Sequence, residues 1–235
     1  MDVQTAHAAA QPPVRGGGYP VWLTGEFDRP GRWLWLVKWL LLIPHVFVLV
    51  FLWIGFFVVT VIAFFAILFT GRYPRPLFDY SLGVMRWTWR VNYYGYQALG
   101  TDRYPPFTLS DVPDYPARLD IAYPERLTRW LPLVKWLLII PHLLIVAALT
   151  STGGWEVNGN GNGSGLGLLA AIVLIVALAL LFAARYPRGL FDLVMGVNRW
   201  IVRVGAYTAL MTDAYPPFRL DLGGEEPEHA TQSVT

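Results

Sequence analysis

The segment Arg32-Trp-Leu-Trp-Leu-Val-Lys-Trp-Leu-Leu-Leu-Ile-Pro-His45 decides the fold, because the chain contains it twice. It returns as Arg129-Trp-Leu-Pro-Leu-Val-Lys-Trp-Leu-Leu-Ile-Ile-Pro-His142. Two shorter motifs recur in the same order: Arg72-Tyr-Pro-Arg-Pro-Leu-Phe-Asp79 as Arg185-Tyr-Pro-Arg-Gly-Leu-Phe-Asp192, and Tyr104-Pro-Pro-Phe107 as Tyr215-Pro-Pro-Phe218. Landmarks repeated in one order indicate internal duplication. The chain is therefore divided into two tandem modules, residues 19–110 and 115–222.

The composition favours a membrane protein. Of the 235 residues, 55% are apolar and only 14% are charged, whereas soluble domains contain about 25% charged residues. The net charge of +2 gives no reason to expect a nucleic-acid partner. The chain has no cysteine, which excludes disulfides, thiolate metal sites and cysteine catalysis. Residues 1–18 lack a secretory-signal pattern, and both they and the acidic residues 223–235 are predicted to be disordered tails.

Each module begins with an apolar run that is predicted to form a transmembrane helical hairpin. As one helix, the uncharged run Trp39–Thr70 would be about 48 Å long, which exceeds the bilayer core of about 30 Å. In the second copy the run is interrupted by the Gly- and Asn-rich residues 151–165, whose backbone cannot be satisfied in lipid. This insertion aligns with residues 53–55, so a break is expected there. The predicted helices are 33–53 and 56–71, then 130–150 and 166–184; hairpins that enter the bilayer without crossing it are the alternative.

The distribution of Lys and Arg predicts the orientation. No basic residue lies between Lys135 and Arg185. By the positive-inside rule, the chain is expected to be a multi-pass protein of the bacterial inner membrane. Both termini and the link between modules would be cytoplasmic, and residues 151–165 would lie outside.

A third apolar segment follows each hairpin, at residues 76–99 and 189–211. Each segment carries a polar stripe at helical spacing, formed by Asp79, Gly83, Arg86 and Arg90 and by Asp192, Gly196, Arg199 and Arg203. If these helices crossed the membrane, one module would be inverted and the basic residues would divide between the two sides. They are therefore predicted to be amphipathic interfacial helices. The alternating segments 19–27 and 118–123 could pair as short cytoplasmic strands, within an otherwise all-α membrane protein.

The repeated motifs resemble the bacterial membrane family called domain of unknown function 4389. The resemblance rests on the Arg-Trp to Pro-His segment, the Arg-Tyr-Pro-Arg segment and the Thr-Asp-x-Tyr-Pro-Pro-Phe segment, each present twice. It covers both modules. It implies a bacterial inner-membrane protein and transfers no catalytic residue.

Two histidines are the sharpest candidate site. His45 follows Pro44, and His142 follows Pro141, inside an apolar segment, where an ionisable side chain suggests function. Two modules of equal orientation would place both histidines at one depth on a pseudo-twofold axis. They could line a proton or substrate path, or bind a haem through two axial imidazoles. The simpler alternative is structural, because a proline frees a helix carbonyl that a nearby polar group can satisfy.

The arginines form a second set of candidates, for contacts with lipid headgroups or a partner protein. They lie in the repeated Arg-Tyr-Pro-Arg motifs and in the two polar stripes: Arg72, Arg75, Arg86, Arg90, Arg185, Arg188, Arg199 and Arg203. The alternative interpretation is simple anchoring at the membrane interface for the first motif, and the hydrated face of an interfacial helix for the stripe.

No pattern in the sequence indicates an enzyme. There is no nucleophile elbow, no paired carboxylates at depth and no metal-ligand cluster, and the Gly-rich residues 161–167 lack the context of a phosphate loop. The expected function is structural, lipid-organising or partner-binding, without a required cofactor. The expected partners are the lipid bilayer and another membrane protein or a second copy of the chain. The alternatives are a small transporter or channel subunit and a haem-binding electron-transfer protein.

Overall fold

The computed structural model is mostly helical, with one two-stranded sheet. It describes residues 19–26, 31, 33–95, 97–150, 168–183, 188–218 and 220. The predicted tails and the inserted residues 151–165 lie outside the described residues. The elements in chain order are β1 (Val21–Gly25), α1 (Trp35–Thr70), α2 (Arg75–Tyr94), β2 (Ala117–Ile121), α3 (Leu131–Leu138), α4 (Ile140–Thr150), α5 (Leu168–Ala183) and α6 (Arg188–Thr208).

The first apolar run forms one helix, so the hairpin predicted from 33–53 and 56–71 is wrong. α1 has 36 residues and continues through the expected break at residues 53–55. Gly55 leaves room there for Tyr80 of α2, whose hydroxyl donates to the Leu52 carbonyl at 3.0 Å. The helix ends only at Gly71, which has a φ of 70° and donates its N–H to Ile67, an ordinary left-handed C-terminal cap. In the second copy, α3, α4 and α5 occupy the corresponding segment, so the insertion does not mark a turn in the first.

α1 is the one helix among the described residues that is long and apolar enough to cross a membrane. The apolar stretch Leu131–Ala147 is shorter. α1 exposes large apolar side chains along its length, including Phe47, Phe57 and Phe69, while one narrow face is buried.

The two helices predicted at the interface are central to the fold instead. α2 and α6 lie close to the predicted bounds 76–99 and 189–211. Their arginines, however, are covered: Arg90 is 2% exposed and Arg203 is 3% exposed. The sequence pattern of a polar stripe is the same whether the stripe meets water or buried carbonyl groups. Here the sheet and the loop before β2 supply the carbonyls.

The two predicted strands form and pair with each other. β1 and β2 are antiparallel, with Leu23 opposite Leu119 at the centre of the ladder. β2 packs on α2, whereas β1, the first strand of the chain, packs on α6 of the second module. Tyr19, just before β1, accordingly donates its hydroxyl to the Ala214 carbonyl at 3.0 Å. The modules are therefore interlocked through their strands.

The main apolar core lies between the sheet and the two central helices. It includes every second strand residue, whose side chains are buried while those between them face outward, and one side of α1 also contributes. Its most enclosed members include Val84, Trp89, Tyr93, Leu119, Val194 and Ala206. This core fixes α2 and α6, and these helices position the candidate site.

Candidate functional site: two equivalent histidine clusters

Each module buries a lysine near the start of its first apolar helix. Lys38 has no exposed surface, and its Nζ lies 3.0 Å from Asp102 Oδ1. The ammonium also donates to the Thr101 carbonyl at 2.7 Å and lies 4.7 Å from the centre of the Tyr94 ring. The second carboxylate oxygen of Asp102 accepts the Gly31 N–H. A buried ammonium needs this kind of paired and hydrogen-bonded environment.

His45 lies two helical turns after Lys38 and is enclosed by aromatic side chains. Its ring stacks on Phe107 with centroids 4.0 Å apart and an angle of 12° between the planes. Trp87 of α2 donates its Nε1–H to His45 Nδ1 at 3.0 Å. Tyr104 contacts the same ring with centroids 4.9 Å apart. The Tyr-Pro-Pro-Phe motif thus covers the histidine and holds it against α2.

Tyr104 has a second contact, in the helical turn that Pro44 disturbs. Proline cannot donate a backbone hydrogen bond, and its ring displaces the preceding carbonyls. The Tyr104 hydroxyl donates to the Leu41 carbonyl in this turn at 3.1 Å. In the second module, Tyr215 donates to the Leu138 carbonyl at the same distance of 3.1 Å. In both copies the tyrosine of the repeated motif thus bonds the carbonyl three residues before the proline, next to the carbonyl of Leu40 or Leu137 that loses its donor to the proline.

The second module repeats the lysine cluster. Lys135 is 1% exposed. Its Nζ lies 2.8 Å from Asp213 Oδ1 and donates to the Thr212 carbonyl at 2.8 Å. The Tyr207 ring centre lies 5.0 Å from the ammonium. Burial raises the pKa of the Tyr207 phenol, and Asp213 and Tyr215 raise it further. The phenol therefore remains neutral beside the ion pair.

The second histidine follows Pro141 and has the same neighbours with one difference. His142 stacks on Phe218 at 3.8 Å and 12°, and Tyr215 lies 5.0 Å away. The Trp200 ring is 5.5 Å away. Within the described part of the chain, however, Trp200 Nε1 and both His142 nitrogens have no hydrogen-bond partner. The hydrogen bond of the first copy is thus not formed in the second.

The geometry defines what the histidines can do chemically. Because His45 Nδ1 accepts a hydrogen bond, the hydrogen-bond pattern assigns the ring proton to Nε2, which is buried without a partner in the described residues. No group of three His, Cys, Asp or Glu side chains suited to a metal occurs in these residues. His45 and His142 are each enclosed by side chains of their own module. The structure does not bring them into contact as a facing pair.

The arginines of the two polar stripes bind the sheet. Arg86 of α2 donates its Nε–H to the Leu119 carbonyl at 2.9 Å and also pairs with Asp120 at 2.9 Å. Arg199 of α6 donates its Nε–H to the Leu23 carbonyl at 3.0 Å. Since Leu23 and Leu119 face each other in the ladder, these two contacts are related by the twofold symmetry of the strand pair.

The deeper arginines are occupied as well. Arg90 donates to the Ser110 carbonyl at 3.2 Å and to the Thr108 carbonyl. Burial lowers the pKa of the Arg90 guanidinium, an effect that Tyr115 and Asp111 oppose. Arg203 lies over the Tyr19 ring at 5.4 Å. With little exposed surface, Arg90, Arg199 and Arg203 have limited access to a lipid headgroup.

The arginines of the Arg-Tyr-Pro-Arg motifs have more exposed surface. Arg72 and Arg188 are exposed, and Arg75 pairs with Asp79 at 3.2 Å while 63% of its side chain remains exposed. Arg185 lies outside the described residues. Lipid or partner contact remains a prediction for this group.

Sequence reasoning singled out the histidines and prolines but missed most of their neighbours. The partners were present in the repeated Thr-Asp-x-Tyr-Pro-Pro-Phe motif, which supplies the aspartate, the tyrosine and the phenylalanine of each cluster. The tryptophans come from the equivalent position of α2 and α6. Co-occurrence of these residues in both copies was the available signal, and it was used only to detect duplication.

Comparisons with known proteins give one match. The family model described as "Domain of unknown function (DUF4389)" matches residues 32–108 and 165–219, two segments that agree with two copies of the domain. No curated protein and no solved structure matches the chain. The matched segments contain both histidine-stacking phenylalanines and both aspartates that pair with the buried lysines, and they cover more than half of the chain. The protein therefore belongs to the DUF4389 family, whose function is unknown.

Proposed function

We propose that this protein is an integral membrane protein with a non-enzymatic, lipid-organising structural role. The observation that carries the proposal is the exposed surface of α1. Phe47, Phe57 and Phe69 are 66%, 69% and 73% exposed on a helix that contains 36 residues. Apolar exposure of this extent marks a site of membrane or protein contact.

The interior of the protein supports a structural role. Lys38, Lys135 and the stripe arginines bind carbonyl groups and carboxylates of the fold itself. The histidines are covered by stacked phenylalanines. A transport path or an axial haem ligand would require these rings to be uncovered, so both alternatives have less support than the structural role.

The proposal allows two arrangements of the protein in the membrane. In the multi-pass form expected from the basic residues, both termini are cytoplasmic and residues 151–165 are outside. In the other form the apolar helices enter one leaflet without crossing. Both forms place α1 in lipid, so the test of membrane integration does not depend on the choice between them.

Extraction and flotation test integration. Membranes from expressing cells are washed with sodium carbonate at high pH, and the purified protein is floated with phospholipid vesicles. We expect it to stay with the lipid in both experiments. The paired variant Phe47→Arg with Phe57→Arg should reduce flotation at least tenfold, because arginine is costly in the bilayer core. Thr24→Arg, on the exposed face of β1, is the matched control and should float normally. A wild-type protein that remains in the soluble fraction would refute the proposal.

Native mass spectrometry tests the lipid-organising role. Protein released from lipid nanodiscs should retain phospholipid adducts, and the adducts should decrease in the paired arginine variant. Retention of a second protein or a second copy in place of lipid would favour a partner-binding role. Solute or proton flux in liposomes that is lost with His45→Ala and His142→Ala would favour the transport alternative.

A further inference from the structure

The direction of α1 relative to the sheet bears on how the protein sits in the membrane. One face of α2 lies along α1: Tyr80 donates to the Leu52 carbonyl at 3.0 Å, and Trp87 donates to His45 at 3.0 Å. As the number rises along α2, the contacted number falls along α1. The two helices are therefore antiparallel, side by side over this length.

The opposite face of α2 carries the strands. Arg86 donates to the Leu119 carbonyl at 2.9 Å, and Trp89 donates to the Thr24 carbonyl at 3.2 Å. Trp87 and Trp89 are two positions apart, which is about 200° around a helix. α1 and the sheet thus lie on opposite sides of α2, in the order α1, α2, sheet.

This order places charges beside α1 at the level of His45, which is about 11 Å from the middle of the helix at 1.5 Å per residue. Arg86, which pairs with Asp120 at 2.9 Å, adjoins Trp87, the residue that contacts His45. A second ion pair on the sheet joins Arg118 to Asp111 at 3.0 Å, with 48% and 36% of the side chains exposed. If α1 ran perpendicular to the membrane with its middle at the bilayer centre, this level would lie within the hydrocarbon half-thickness of about 15 Å, where such charges are costly and rare.

The second module has the same order. His142 contacts Trp200 of α6, and Arg199 of α6 donates to the Leu23 carbonyl at 3.0 Å. The twofold axis of an antiparallel strand pair is perpendicular to the sheet. The strands pair at Leu23 and Leu119. This axis therefore places the apolar helices of both modules on the same side of the sheet.

We propose that the protein is monotopic: α1 and α3–α5 lie parallel to the membrane within one leaflet, in contact with phospholipid acyl chains, and the sheet faces water. The proposal rests on the membrane role proposed above and specifies its geometry. In this arrangement the exposed apolar surface contacts lipid and the exposed ion pairs contact water.

A groove on α1 is consistent with an acyl chain as the occupant. It has a volume of about 580 Å³ and is lined by Leu49, Trp53 and Phe57 of α1 with Val91 and Asn92 of α2, among others. Its lining is almost entirely apolar, which suits a lipid tail.

Spin-label depth measurements test the orientation. The chain has no cysteine, so single-cysteine variants label cleanly. Leu40→Cys, Phe47→Cys, Ile54→Cys and Val61→Cys replace exposed residues seven apart, on the face of α1 opposite α2. The depth of each label in phospholipid vesicles is obtained from its relative accessibility to oxygen and to a water-soluble nickel chelate. Thr24→Cys on the sheet is the control for a label in water.

The monotopic arrangement predicts that the four α1 labels lie at nearly equal depth within the hydrocarbon, and that the Thr24 label lies outside it. A spanning helix predicts depths that pass through a maximum, since the first and last labels are about 31 Å apart along the axis at 1.5 Å per residue. Such a profile in protein that floats with vesicles overturns the orientation and leaves the membrane role intact. Protein that does not float refutes both. Labelling of Asn158→Cys by an impermeant maleimide from the side opposite Thr24→Cys would also overturn the monotopic arrangement.

Discussion

At the residue scale, the two buried lysines show how an ionisable group can be structural. Lys38 is fully buried, and its carboxylate partner Asp102 remains 30% exposed at 3.0 Å. Removing only the carboxylate takes the counter-ion away from a buried ammonium, which also donates to the Thr101 carbonyl. We expect Asp102→Ala to lower the free energy of unfolding by about 3 kcal/mol. Thermal unfolding in mild detergent, followed by tryptophan fluorescence, measures the change.

Two matched variants control this prediction. Lys38→Met combined with Asp102→Ala removes both charges and should recover most of the lost stability, because the pair matters mainly through the cost of an unpaired buried charge. Asp79→Ala breaks the exposed pair with Arg75 and should change stability by less than about 1 kcal/mol. Equal losses from Asp102→Ala and Asp79→Ala would contradict the assigned role of Lys38.

The stacked histidine allows a second prediction at this scale. His45 lies 4.0 Å from the Phe107 ring and accepts the Trp87 hydrogen bond. His45→Phe keeps the stacking and loses the hydrogen bond, so we expect a loss of about 1–2 kcal/mol. His45→Ala also leaves a cavity and should cost about 3 kcal/mol. The same unfolding assay applies, and unchanged stability in both variants would mean that the ring is not part of the structural core.

At the scale of elements, α1 makes a close contact with α2 at the place where the sequence predicts a break. A Cβ atom added at Gly55 would overlap the Tyr80 hydroxyl, which donates to Leu52 at 3.0 Å. We expect Gly55→Ala to destabilise the protein by about 1–3 kcal/mol through overpacking. Tyr80→Phe removes the overlapping atom and should restore part of the stability when combined with Gly55→Ala. Gly189→Ala has no atom within 4 Å of the added group, so it should be neutral or stabilising when its unfolding is measured in parallel.

The sequence predicted some of these elements well and others poorly. Hydrophobic runs and helical spacing located α2, α5 and α6 to within a few residues of their observed bounds, and alternation located both strands. The hairpin prediction was wrong because a turn was inferred from the length of the apolar run and from the insertion in the second copy, whereas α1 is continuous through residues 53–55.

The candidate site was predictable only in part, for a related physical reason. A histidine in an apolar run is visible in the sequence. Its stacking partners, Phe107 and Phe218, come from segments whose position depends on how the loop after α2 or α6 folds back. Likewise, a stripe that contains Arg86 and Arg199 has one pattern whether it faces water or sheet carbonyls. Tertiary contacts, not local periodicity, decide between these outcomes.

At the scale of the whole molecule, the exchange of strands makes each module incomplete by itself. β1 packs on α6 and β2 packs on α2, and Arg199 binds the Leu23 carbonyl across the module boundary at 3.0 Å. Chains divided at the exposed turn between Pro113 and Asp114 should therefore associate when co-expressed. We expect an affinity tag on residues 1–113 to recover residues 114–235 in mild detergent, and each fragment expressed alone to aggregate.

The contribution of the strand pairing is tested by placing the same substitution at adjacent positions of the tagged fragment. Leu23 is 4% exposed and lies at the centre of the ladder, whereas Thr24 faces outward opposite Arg118. Leu23→Asp buries an unpaired carboxylate and should reduce recovery of the second fragment at least tenfold, or by about 1.4 kcal/mol in binding free energy. Thr24→Asp should not reduce it, because the new carboxylate lies beside a cation. Fragments that are stable and monomeric alone, or equal recovery with both substitutions, would show that the modules fold independently and that the strand pair does not join them.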